Sequence, residues 1–331
     1  MWYSAVGCIV TLTLSLLAAP LTAQAQVREK TPRVGVLAQD SQQRPFPCLP
    51  AFQQGLRDLG YIEGHNIFLE YRYAENQPDW LPTLAAELVQ RQPDTIWTSS
   101  SSAAQALKQA TTTIPIVVGV SVDLVEQGLV ESLARPGGNL TGLDTQYLEL
   151  TSKRLELLKD AVPQITRVAI LVDPTGTRRV SDRIPSAFEG EAWALGLHLL
   201  RVEASDPGAL DAAFTTMVAQ RADALVLMDS RIFRTHRHRL LELALLHRLP
   251  TMAPIRSYAE AGSLLAYGAD PSDLCRRSAV FVDKILKGTK PADLPVERAD
   301  KFALIVNLKT AQALGLTLSP MFLSRADEVI K

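Results

Sequence analysis

The chain has 331 residues, room for about two domains of ordinary size, with 34 basic side chains against 35 acidic ones. That balance leaves no electrostatic footprint for nucleic acid and no polybasic case for a membrane surface. At 47% hydrophobic and 21% charged residues, with only three cysteines, the composition excludes a disordered chain and a small disulfide scaffold.

Residues 1–25 carry no charge, and an apolar run from Ala5 to Ala19 is followed by Ala23-Gln24-Ala25, a small-x-small cleavage pattern. We expect a signal peptide over residues 1–25 and export to the periplasm. The run is short for a spanning helix of roughly 20 residues, so an uncleaved membrane anchor is the lesser alternative. Cys8 would leave with the signal. Cys48 and Cys275 could pair in an oxidising compartment, but two unpaired thiols is the simpler reading, and no metal spacing or C-x-x-C motif exists.

From Val34 onward, short apolar runs alternate with amphipathic stretches. Val34 to Leu37 reads as a buried parallel strand. A helix follows with Phe52, Leu56 and Leu59 on one face, then a strand at Ile67 to Tyr71 and a helix carrying Leu81, Leu84, Ala85, Leu88 and Val89. Thr95 to Trp97 is a strand, Ala103 to Ala110 a helix, Ile114 to Val120 a strand, Val125 to Leu133 a helix and Leu140 to Leu143 a strand. The rhythm restarts with a helix at Thr151 to Val162, a strand at Val168 to Val172, a helix around Ala187 to Leu195 and a strand at Leu197 to Val202. A helix at Pro207 to Gln220, a strand at Ala224 to Met228 and a helix reaching His247 continue it. Strands near Met252, at Leu264 to Tyr267 and at Phe302 to Val306, with a long helix from Asp270 to Lys287, complete the series. Such alternation predicts an α/β fold of two similar lobes, each a parallel sheet flanked by helices and parted near residues 144–150.

In open parallel sheets ligands bind beyond the C-terminal ends of the strands. That rule selects Gln39 and Asp40, the run Ser99, Ser100, Ser101 and Ser102, then Asp123, Asp173 and Asp229, with Tyr267 at the end of its strand. The serine run opens a helix, where unpaired N–H groups and the helix dipole suit a carboxylate. A ligand carboxylate there would accept bonds from the hydroxyls of Ser100 and Ser101 and from N–H groups near Ser102; the plainer alternative is helix capping, with Ser101 as the cap. Each aspartate has the same two readings, capping or ligand contact. The stretch Arg231 to Arg239 reads as a solvated helix face, since His236 and His238 do not share one side of a helix. No nucleophile elbow, phosphate loop, H-E-x-x-H or dinucleotide fingerprint is present, and none of the five histidines falls in a predicted strand-end loop. Binding is favoured over catalysis, with no metal and no cofactor called for.

Several stretches carry a family resemblance: Arg33-Val-Gly-Val-Leu37, Phe52 through Gly64, Leu81 through Leu88, Ile114-Pro-Ile-Val117, Leu133 through Gly142, Lys153 through Leu158, Tyr267-Gly268, Val282 through Gly288, Ala292 through Glu297 and Ala326 through Ile330. In this order and spacing, the chain resembles the bacterial ABC transporter substrate-binding protein family that includes tryptophan- and tyrosine-type binding proteins. The resemblance implies a periplasmic-binding-protein-like (type I) fold with three hinge crossovers, expected near Asp144, Pro250 and Gly288. Lobe 1 would then comprise residues 33–143 plus about 251–287, and lobe 2 residues 144–250 plus about 288–331. It implies a small ligand captured between the lobes, an ABC permease in the inner membrane as partner, and no catalysis. Ser101 falls where the family opens its third helix, while Ser99 and Ser100 stand where relatives often carry glycine. The expected protein is a monomeric solute receptor. A ligand-sensing module for a membrane receptor and a secreted α/β enzyme with an unrecognised site are the alternatives.

Overall fold

The computed structural model describes residues 31–43, 46–175 and 188–331, of which Pro32–Lys331 form one compact unit. The expected signal segment lies outside the described residues. Thirteen strands within them are named in chain order: β1 Arg33–Ala38, β2 Phe68–Tyr73, β3 Thr95–Thr98, β4 Ile116–Ser121, β5 Leu140–Asp144, β6 Arg167–Val172 and β7 His198–Glu203, followed by β8 Ala224–Leu227, β9 Thr251–Ala253, β10 Leu265–Gly268, β11 Glu297–Arg298, β12 Ala303–Asn307 and β13 Glu328–Ile330. They form two sheets, ordered β11-β5-β4-β3-β1-β2 and β13-β12-β10-β9-β8-β6-β7.

The first sheet is parallel throughout, and its central strand β3 is buried on both faces, with the hydroxyls of Thr95 and Thr98 bonded to neighbouring carbonyls. The second departs from the expected parallel pairing once, where β12 runs antiparallel to β10. β12 is entered directly from the other sheet, with no helix to turn the chain round, so it arrives in the opposite sense.

The lobe boundaries differ from those expected. β9 and β10 pair inside the second sheet, so the chain does not leave that lobe at Pro250. Pro250 stands just before the first residue of β9, where a missing N–H costs the ladder nothing. The return to lobe 1 falls at residues 269–270, and the helix Pro271–Leu286 packs on Cys48–Asp58 beside β4. Gly288 is no crossover either: at φ 98° it follows the end of that helix. The chain leaves again at residues 299–302, after β11 has paired with β5. The expected helix over Val125 to Leu133 is instead a series of turns, with Gly128 in the left-handed region at φ 68° and its carbonyl accepting from Lys108. The helix expected to reach His247 is two, Arg231–Thr235 and Arg237–Leu246.

Lobe 1 is built around Trp97, fully buried, stacked on Phe52 at 4.2 Å between ring centroids and donating its Nε1–H to Ser278 Oγ at 2.8 Å. The helices Cys48–Asp58 and Pro271–Leu286 meet so closely that a Cβ on Gly55 would lie 2.2 Å from the Arg276 carbonyl oxygen. A disulfide between Cys48 and Cys275 joins these two helices, with Cα atoms 5.1 Å apart. The reading of two unpaired thiols is therefore overturned. Spacing could not reveal the pair, because it depends on a helix added 227 residues later.

Closing so long a loop restricts the unfolded chain, an effect typically worth about 2–4 kcal/mol. Replacing Cys48 and Cys275 by serine should lower the urea midpoint accordingly and steepen the transition, because the unfolded chain freed of the bridge exposes more surface. Equal midpoints for the oxidised parent and the double variant would show that the bridge adds nothing.

Candidate functional site

Strand ends of both sheets and parts of the crossovers line one cleft of about 220 Å³. That is below the roughly 300–1,000 Å³ of drug-sized pockets and suits a solute of amino-acid size. Lobe 1 contributes Gln39, Asp40, Phe46, Pro78, Ser99 to Ser102 and Val120 to Val122; the crossovers contribute Thr145, Tyr147 and Ala269. Lobe 2 contributes Leu150, Arg154, Asp173, Thr175, Met228 to Arg231, Arg234, Pro254 and Ile255. Eight of the ten sequence-predicted residues thus come together, while Asp123 and Tyr267 do not. Tyr267 turns its ring to Phe302, 6.2 Å away between centroids.

The serine run is organised differently from the expectation. Ser100, not Ser101, is the N-cap of the helix Ser101–Ala110: its Oγ accepts from Ala103 N–H at 3.3 Å and donates to Gln39 Oε1 at 2.5 Å. Ser101 Oγ is held by Ser121 Oγ at 2.9 Å and accepts from Gln127 Nε2 at 3.2 Å. Both hydroxyls proposed as ligand donors are therefore engaged within the protein. What this helix start offers the cleft is the N–H groups of Ser101 and Ser102, which lie in the first turn and have no intrahelical acceptor.

The aspartates divide. Asp173 closes a local turn, accepting from the Thr175 N–H at 2.9 Å and hydroxyl at 2.6 Å. Asp229 caps nothing, because Ser230 caps the short helix that follows. Its Oδ2 pairs with Arg234, its N–H donates to the Tyr147 hydroxyl, and its buried Oδ1 has no partner among the described residues. Burial raises the Asp40 pKa, opposed by Arg234, the Phe46 N–H and Arg231. Asp40 and Phe46 belong to lobe 1 and the two arginines to lobe 2. The Arg234 guanidinium also lies over the Phe46 ring, 4.9 Å from its centroid. The stretch read as a solvated helix face thus sends Arg231 and Arg234 into the cleft.

Arg154 is the residue that strand-end reasoning could not reach, because it stands on the helix Glu149–Ala161. It is 1% exposed, donates from Nε to Tyr267 O at 2.8 Å, and lies over the Tyr147 ring at 4.6 Å. Its sequence signal is a charge inside an apolar face, among the buried Leu150, Leu155 and Leu158. A second cavity of about 220 Å³, by Asp270, Asp273 and Asp300, has its carboxylates engaged: Asp270 caps a helix, and Arg277 meets the other two. No group of three His, Cys, Asp or Glu that could hold a metal occurs among the described residues.

The profile of the family described as ABC transporter substrate binding protein matches residues 47–330. The chain belongs to that family. A curated relative, the tyrosine-binding protein of Clostridioides difficile strain R20291, is 27% identical over 266 residues, covering 80% of this chain and 75% of the relative. The crystal structure of a conserved domain protein from Vibrio cholerae is 27% identical with a TM-score of 0.81, covering 91% of this chain and 100% of the other. A Streptococcus ABC domain crystallised with L-Trp, 24% identical with the same coverage and a TM-score of 0.83, shares the fold. This is a family of solute-binding receptors, and the cleft between two mostly parallel sheets is the architecture its members share.

Asp123 sits where β4 gives way to the crossover side of this receptor. Its backbone is left-handed at φ 51°, and its Oδ2 accepts from Leu148 N–H at 3.3 Å. Burial, then Asp144, pushes its carboxyl up to about 7, with the Leu148 N–H opposing and Glu149 and Glu126 adding to the rise. An unfolded aspartate ionises near pH 4. Between that pH and about 7 the folded protein holds a proton the unfolded chain has released, so stability falls as pH rises through this window. Asp123→Asn keeps the acceptor, suits the left-handed backbone and cannot ionise. It should exceed the parent in stability at pH 8 by on the order of 1–3 kcal/mol and nearly match it at pH 4, measured by urea unfolding. No gain at pH 8 would exclude Asp123 as the titrating group.

Proposed function

We propose that this protein captures an amino acid with a large apolar or aromatic side chain outside the cytoplasm and delivers it to an ABC permease. The observation that carries this reading is the cleft's mixed lining. Arg154, Arg231 and Arg234 balance Asp40, Asp173 and Asp229, while Phe46, Leu150, Met228 and Ile255 supply an apolar wall. A net-neutral zwitterion with an apolar body matches both features. The tyrosine-binding relative and the L-Trp complex support the ligand class. The disulfide and the uncharged, apolar residues 1–25 support export to an oxidising compartment. Among the described residues no helix is long and apolar enough to cross a membrane.

In this reading the ligand carboxylate meets the first N–H groups of the helix Ser101–Ala110. Titration calorimetry with L-tryptophan and L-tyrosine tests the ligand class, and a substitution pair tests the anchor. Ser101→Ala keeps the N–H and should change affinity little. Ser101→Pro removes it at the one helical position that tolerates proline, after a residue already in extended backbone. It should bind about tenfold more weakly than the alanine variant. Equal affinities for the two would move the carboxylate elsewhere.

A further inference from the structure

Arg154 spends three of its five N–H groups on the protein. Nε reaches Tyr267 O at 2.8 Å, and Nη1 reaches Tyr147 O and Thr151 Oγ1, both at 3.3 Å. All three acceptors are neutral. No carboxylate of the described residues forms an ion pair with it: Asp229 is turned to Arg234, and Asp123 lies outside the cleft lining, bonded to Leu148 N–H. Position 268 is glycine, and a Cβ there would stand 3.4 Å from Arg154 Nη2. A guanidinium does not shed its proton to escape burial, as a lysine can. The cleft wall therefore carries a permanent, desolvated positive charge with both N–H groups of Nη2 unassigned.

The geometry points to Arg154 as the lobe-2 partner of the ligand carboxylate, donating from Nη2 opposite the Ser101 and Ser102 N–H groups. This rests on the amino-acid reading above and deepens it by naming the residue that makes a free carboxylate obligatory. Two features favour a ligand role over a structural one. The fold engages the guanidinium through three neutral acceptors and the Tyr147 ring and gives it no carboxylate ion pair among the described residues, which leaves Nη2 for a ligand anion. The serine run and Arg154 also line a single small cleft, linked along its floor: Ser101 bonds Ser121, Ser121 O accepts from Thr145 N–H and Oγ1–H at 3.0 and 2.9 Å, and Tyr147 follows two residues later beneath the guanidinium.

The test compares L-tryptophan and L-tyrosine with their carboxamides, which keep the size and lose the charge, by calorimetry on the parent, Arg154→Lys and Arg154→Met. The parent should prefer acid over amide by about 100-fold, and the methionine variant should lose at least tenfold of that preference. The lysine variant should recover part of it. An unchanged preference in both variants overturns the inference and leaves the carboxylate to the helix start alone. If the variants do not fold, the ¹⁵N resonances of the parent's Arg154 side chain decide: they should move with the acids and stay with the amides, and no difference overturns the assignment. A parent that binds acid and amide equally also removes this inference while keeping the ligand class. A parent that binds neither removes the amino-acid reading and this inference with it.

Discussion

The Arg154 guanidinium stays protonated at any ordinary pH, yet it is 1% exposed and sits where the lobes join. Its bonds to the carbonyls of Tyr147 and Tyr267 tie the chain's way out of lobe 1 to the last strand before its return. Two more contacts lace the third crossover to the first: Gln146 Nε2 donates to Ala299 O at 2.6 Å, and Ala299 N–H donates to Asp144 O at 2.9 Å. Three short segments thus run side by side, with their polar groups satisfied by one another. That arrangement lets a cleft open between two well-packed cores without exposing unpaired backbone at its base.

Most of the strands and helices were legible because their signals are local. Buried parallel strands such as Val168 to Val172 read as unbroken apolar runs, and the helix Leu81–Gln90 shows its apolar face in five residues. What failed was non-local. Pro250 and Gly288 are genuine punctuation, but punctuation does not say which sheet the next strand will join. That depends on whether Met252 and Ala253 find β8 and β10 as neighbours, which no residue in the stretch encodes alone. The disulfide was hidden for the same reason, and β11 and β13, of two and three residues, are too short to leave a periodic signal.

The candidate site divides along the same line. The strand-end rule reached Gln39, Asp40, the serines, Asp173 and Asp229 because topology alone brings those loops to one edge. It also selected Asp123 and Tyr267, whose side chains turn to Leu148 N–H and to Phe302. It could not find Arg154, Tyr147 or Arg234, which enter from helices and a crossover. The signal available for Arg154 was an anomaly of patterning, a charge at a position that helical periodicity reserves for the core. For Arg234 there was no comparable signal, because a basic, His-containing helix looks the same whether it faces water or a cleft.

The distribution of polar work around the cleft explains why a conspicuous serine run need not read a ligand through its hydroxyls. Ser100 is committed to capping and Ser101 to β4, and those bonds place the helix start against its neighbouring strand. The N–H groups left over belong to the backbone and survive most side-chain changes at these positions. In the proposed reading lobe 1 thus meets the ligand carboxylate through backbone groups that only proline would remove. The side chains that line the cleft from lobe 2 are of a different kind, with Leu150, Met228 and Ile255 forming an apolar wall and the arginines carrying its charge. Because the Arg234 guanidinium of lobe 2 lies over the Phe46 ring of lobe 1, whatever holds Arg234 in place also bears on how the two lobes face each other. Asp229, with Tyr147 bonded to its N–H, does that holding. The pairing of the lobes and the shape of the wall thus share residues, and a change in one is felt in the other.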